Sequence, residues 1–196
     1  MDTTPCDAFT TELRETLADH LGLPTAQVAV GNNTLALLGR LVGSTCASSS
    51  KVLYTERTDA PPPPVLGQAC PQPVPFKPDG SHDLEQMLSL IDDSTCLIFL
   101  SSPAELAGDS MTTRELTEFM RTVPERVTVM LDETHLEYPD EGAGDEAGDE
   151  AEVVSTDAIA AHPNLVVLRS FNKAYGLADV RVAYAFGSEA LISSFV

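Results

Sequence analysis

The chain is short of base. Eleven lysines and arginines stand against thirty aspartates and glutamates, for a formal net charge of −19. Phosphate backbones are gripped by clustered cations, so this balance argues against nucleic acid as a partner. It argues equally against an anionic membrane surface. No apolar run approaches the roughly 18–20 residues needed to span a bilayer, so no membrane partner is expected. The opening stretch MDTTPCDAFTTEL has neither the basic nor the apolar region of a secretion signal. Cys6, Cys46, Cys70 and Cys96 form no CxxC pair, which reads as reduced thiols in a cytoplasmic protein. There is also no GxGxxG or Walker run, so a generic nucleotide-binding loop is a poor reading.

What is present is an alternation. With 196 residues and 43% hydrophobic content, the chain can pack one domain or one and a half. Phe9, Leu13, Leu17 and Leu21 predict a helix over 7–22, ended by Gly22 and Pro24. VAVGNNTLALLGRLVG (28–43) reads as strand, turn and helix, with Leu35, Leu38, Leu41 and Val42 on the helix's apolar face. KVLY (51–54), TCLIFLSS (95–102), VTVMLDE (127–133), LVVLR (165–169) and VRVAYAFG (180–187) read as strands. SHDLEQMLSLID (81–92) and MTTRELTEFMRTV (111–123) read as helices, the first capped by Ser81 or Asp83. SEALISSFV (188–196) opens another helix. Four consecutive prolines at 61–64 predict an extended surface segment. The acidic stretch 139–153, with GDEA twice in tandem, predicts a hydrated, flexible loop.

Strands alternating with amphipathic helices mean βαβ units. The fold class expected is α/β, a three-layer αβα sandwich on a mainly parallel sheet. Ligands of such sheets bind beyond the carboxyl ends of the strands. Three groups fall at those ends: Asn32 to Thr34, Asp132, and Ser170 with Lys173. Each has an ordinary reading when taken alone. Asn32-Asn33 suits a turn, Asp132 a helix cap, Lys173 a solvated surface, and Arg181 a surface ion pair.

Taken together and in order, these segments are similar to a known family. RSFNKAYGLADVRVAYAFG (169–187) resembles the lysine segment of fold-type I pyridoxal-phosphate (PLP) aminotransferases, class I/II. Within them it is most similar to the histidinol-phosphate and aromatic aminotransferase branch. LDETHLEY (131–138), HPNLVVLRSF (162–171), VGNNTLALL (30–38) and PDGSHDLEQMLSLID (78–92) resemble further segments of that branch, and the likeness runs from about residue 12 onward. The resemblance implies PLP as cofactor and amino-group exchange between an amino acid or histidinol phosphate and a 2-oxo acid. Lys173 would form the Schiff base, which requires its amine to be neutral, and would then move the substrate's α-proton. Asp132 would pair with the pyridine nitrogen. Ser170 and Arg181 would hold the phosphate, with Asn32, Asn33 and Thr34 completing the phosphate cup at a helix start. His135 would reach the ring oxygen. A homodimer, cytoplasmic, with a role in amino-acid and histidine biosynthesis, is implied as well.

The chain departs from the family at several positions. SSPAELAG (101–108) stands where the family has an asparagine-rich turn, and Glu105 aligns with the asparagine that bonds the ring oxygen. A carboxylate there would repel that oxygen unless protonated. His135 replaces a tyrosine, and Asp59 lies near the position of the aromatic that stacks on the ring. Asn33 replaces a glycine, a change that asparagine's tolerance of positive φ makes mild. Asp179 replaces a glycine before Arg181. Residues 1–196 are expected to form the cofactor-binding large domain without the family's N-terminal arm and C-terminal small domain. A truncated, non-catalytic relative that keeps the fold and weak PLP binding is the alternative.

Overall fold

A computed structural model describes residues 6–56, 66, 69–102, 111–134, 156–171 and 182–195. Among the described residues the strands are β1 (Val28–Gly31), β2 (Lys51–Glu56), β3 (Cys70–Pro75), β4 (Thr95–Ser101), β5 (Thr128–Asp132), β6 (Leu165–Ser170) and β7 (Ala183–Gly187). They form one sheet in the order β1-β7-β6-β5-β4-β2-β3. Strands β3, β2, β4, β5 and β6 pair in parallel, and β7 runs antiparallel to both β6 and β1. The helices are α1 (Cys6–Leu21), α2 (Thr34–Thr45), α3 (Leu84–Ser89), α4 (Thr113–Thr122), α5 (Thr156–Ala161) and α6 (Glu189–Phe195).

The inner strands are apolar on both faces, so helices must cover both. On one face Leu37, Leu38 and Leu41 of α2 and Ile192 of α6 pack against Ala29, Leu97, Met130, Leu168, Ala183 and Ala185. On the other face Leu17 of α1, Met87 of α3, Leu116 and Phe119 of α4 and Ile159 of α5 pack against Ile98, Leu131, Val167 and Phe186. This is the expected αβα sandwich. Alternation along each strand then assigns every residue to a face, which later decides where the functional side chains point.

Local chemistry fixes the helix starts. Asn33 caps α2, its Oδ1 accepting from the Ala36 amide at 2.7 Å. Thr112 and Glu115 form a capping box on α4. The Thr112 amide and hydroxyl both donate to the Glu115 carboxylate, which holds its pKa below the usual range. Asp83 caps α3, accepting from Gln86 N at 3.0 Å. Ser81 lies outside that helix and bonds Asp79 instead, so the helical reading of 81–92 shrinks to six residues.

Three expectations change, and one strand adds to those expected. Leu35 is 57% exposed, whereas Leu37 is fully buried. Asn33 caps the helix before its first residue, so α2 starts at Thr34 and turns Leu37, not Leu35, toward the sheet. Asn33 itself has φ −169°, an extended conformation, so the feature offered as its fitness for a glycine position is not used. Strand β3, CPQPVP, lies where the sequence predicts no strand, because prolines lack a ladder donor. At an edge, however, Pro71, Pro73 and Pro75 share the outward side, while the Cys70 amide bonds Ser50 O of the preceding turn at 2.8 Å. Finally, Cys46 and Cys96 are joined as a disulfide, with Cα atoms 5.6 Å apart, rather than standing as free thiols. Cys46 closes α2, and Cys96 is the extra residue where the β2–β4 register shifts. The two are 50 residues apart in sequence, so spacing along the chain is blind to a contact made by the fold. Cys70 is free and exposed.

The contrast within α2 is testable by urea unfolding. Leu37→Ala should cost about 2–5 kcal/mol, the range for truncating a buried leucine. Leu35→Ala should change stability by no more than about 0.5 kcal/mol. Equal costs for the two would contradict the α2 register.

Candidate active site

The carboxyl edge of the sheet is built by register. Gly31 of β1 and Ser170 of β6 both lie opposite Ala183 of β7. Two rungs inward, Leu168, Asp132 and Ser101 lie side by side on β6, β5 and β4. The three sequence segments singled out above therefore end at one edge, separated only by strand spacings of about 5 Å each.

Faces bring them closer together. Asp132 is two residues beyond Met130, and Ser170 two beyond Leu168, both of which pack under α2. Alternation points Asp132 and Ser170 to that same face. The chain leaves β1 at Gly31 and enters α2 at Thr34, so the N-terminus of α2 opens on the same side. Gly31 is required here. A Cβ at this position would lie 2.8 Å from Leu37 Cγ, so a side chain would force the buried Leu37 out of its place.

The donor set suits an anion beside a cation. The first-turn amides of a helix lack intrahelical partners and carry partial positive charge. Asn33 occupies one of them, Ala36 N, and Thr34 and Leu35 supply the next. Asn32 is exposed at the turn and Ser170 is buried at the strand end. Asp132 Oδ1 accepts the Thr134 amide at 2.9 Å and is also bonded by the Thr134 hydroxyl. Those bonds fix the carboxylate's rotamer. Its main-chain oxygen accepts from Ser102 N at 2.9 Å, tying β5 to the end of β4.

Two further arrangements escaped the sequence reading. Glu133 and Arg169 form a buried pair, Nε to Oε2 at 2.9 Å, on the face opposite Asp132. The Arg169 guanidinium also lies 4.9 Å from the centre of the Phe186 ring. Their signal was an acid and a base at the ends of otherwise apolar strands. His82 spans β2 and β4: Nδ1 meets Thr55 Oγ1 and Nε2 meets Ser101 O, each at 2.8 Å. A carbonyl can only accept, so Nε2 carries a proton. Nothing in the sequence marked His82 as more than part of a helix.

Asn32, Asn33, Thr34, Asp132 and Ser170 thus lie at one edge of the sheet. His135, Lys173 and Arg181 lie outside the described residues, as do Asp59, Glu105, Asp179, the proline run and the acidic stretch 139–153. No group of three metal-ligating side chains occurs among the described residues. No helix among them is long and apolar enough to cross a membrane.

Known proteins share both the sequence and the fold. A protein from Corynebacterium efficiens described as an aromatic amino acid aminotransferase is 42% identical over 191 residues, 96% of this chain and 54% of that protein. One of the same description from Rhodococcus opacus is 38% identical, covering 91% of this chain and 48% of its own length. The chain thus spans about half the length of the curated relatives it matches. Histidinol-phosphate aminotransferase from Sinorhizobium meliloti, solved with pyridoxal-5'-phosphate, superposes with a TM-score of 0.81 at 24% identity, over 97% of this chain and 50% of that one. The aromatic aminotransferase from Pyrococcus horikoshii superposes at 0.76 with 19% identity, over 94% and 51%. The family model for aminotransferase class I and II matches residues 6–196, and this chain belongs to that family.

Proposed function

We propose that the protein exchanges an amino group between an aromatic amino acid and a 2-oxo acid with PLP as its cofactor. Residues 1–196 would be the part that holds the cofactor. The observation that carries this reading is the shared face and edge of Asp132, Ser170 and the α2 N-terminus. PLP carries a phosphate dianion and a pyridine ring nitrogen, and these residues offer a match for each.

When bound, the cofactor supplies an electron sink for charge developing on the amino-bearing carbon. The residues supply the rest. Asp132, held by Thr134, would keep a proton on the ring nitrogen. The amides of Thr34 and Leu35, with the Ser170 hydroxyl and Arg181, would hold the phosphate. Asn32 and Asn33 would shape the cup, Asn33 through its cap on Ala36. Lys173 would bond the cofactor's aldehyde carbon and move the substrate's α-proton. His135 would donate a hydrogen bond to the ring oxygen. The aromatic donor rests on the curated relatives' descriptions, and histidinol phosphate is the competing donor suggested by the sequence likeness. A homodimer is proposed as the assembly.

A second reading has its own support. Glu105 in place of an asparagine and Asp59 in place of a stacking aromatic would weaken the ring's seat by about 1 kcal/mol or more. On that reading the chain binds PLP and turns over little or nothing.

Both readings are tested on the purified chain. After PLP addition and borohydride reduction, a stable adduct should map to Lys173 and vanish in Lys173→Ala, with unfolding unchanged. Absence of the adduct in the unmutated chain would sink PLP binding. A separate, unreduced sample given phenylalanine or histidinol phosphate with 2-oxoglutarate decides the rest. Spectral conversion with one donor identifies it, and no conversion with an adduct in place selects the non-catalytic reading.

A further inference from the structure

We propose that Glu133 and Arg169 are positioning residues that hold the cofactor-binding groups in register from the opposite face of the sheet. This rests on the PLP reading above and extends it to a pair on the other face of the sheet. Glu133 follows Asp132 directly, and Arg169 directly precedes Ser170. Alternation turns Asp132 and Ser170 toward α2 and turns Glu133 and Arg169 the other way.

The pair joins the two strands at the point where their ladder ends. The β5–β6 register stops at Asp132 opposite Leu168. One further main-chain bond follows, Glu133 N to Leu168 O at 2.8 Å. The bond from Arg169 Nε to Glu133 Oε2 at 2.9 Å adds a side-chain link between the same strand ends. Glu133 is buried, its side chain 3% exposed, and Arg169 is partly buried at 14%. Phe186 of β7 supports the guanidinium at 4.9 Å, which extends the clamp to a third strand. A rotation of either strand end would break this contact and swing Asp132 or Ser170 off its face.

A buried ion pair is weak evidence for stability, because an apolar pair of similar volume often serves as well or better. That separates a positioning role from a structural one. Four proteins are compared: the unmutated chain, Glu133→Gln, Arg169→Met, and the double variant Glu133→Met with Arg169→Met. Urea midpoints report folding, and titration of absorbance or fluorescence reports PLP affinity of the folded protein. The single variants should lose stability, since each leaves a buried partner uncompensated. The double variant should recover the midpoint yet bind PLP about ten- to a hundred-fold more weakly, the loss seen when groups that orient metal ligands are removed. If the double variant recovers both midpoint and affinity, the pair is structural only and the inference fails. If the unmutated chain itself does not bind PLP, the functional reading fails and takes the inference with it.

Discussion

The carboxyl edge of this sheet depends on one strand running backwards. β7 lies between β1 and β6 and is antiparallel to both. Two reversals restore the direction, so β1 and β6 point the same way although they do not touch. Their ends then fall on one rung through Ala183, which brings the start of α2 and Ser170 to one place. Were β7 parallel, the ladder would place its carboxyl end at this edge instead. β7 is buried along its whole length, and its residues on the α2 face are Ala183 and Ala185. Small residues there let α2 sit low, so its first turn opens close to the sheet. Gly31 serves the same approach.

The electrostatics follow from that placement. A chain with a net charge of −19 repels anions at long range. Holding a phosphate therefore requires local, directional donors that act within the last few ångströms. The first-turn amides of α2 are such donors, and they add no formal charge to the surrounding core. The acid at the site is a different matter. A carboxylate at a strand end has freedom to turn, and Thr134 removes it by donating from both its amide and its hydroxyl. Beneath the site, Glu133 and Arg169 cancel each other in a place where either alone would be costly.

Much of this was legible in the sequence. Apolar runs such as TCLIFLSS and LVVLR could be little else than buried strands, and their alternation with helical segments implied the layered sheet. Asp132 and Ser170 were found because polar residues at the ends of such runs are conspicuous. Features set by neighbours across the sheet were not legible. The face of α2 depended on which residue caps it, and a shift of two positions exchanged Leu35 for Leu37. The edge strand CPQPVP was hidden because proline is disfavoured in general, though tolerated where one side of a strand faces outward. The Cys46–Cys96 bond and the Glu133–Arg169 pair join residues 50 and 36 positions apart, and no local pattern reports such contacts.

The α2 face of the carboxyl edge is where the cofactor should sit. A crystal structure of the protein grown with PLP tests it most directly. The pyridine nitrogen should lie within about 2.7–3.2 Å of an Asp132 carboxylate oxygen, a hydrogen-bond distance, and the phosphate against the Thr34 and Leu35 amides. A cofactor seated on the Glu133–Arg169 face, or with Asp132 turned away from the ring, would contradict it.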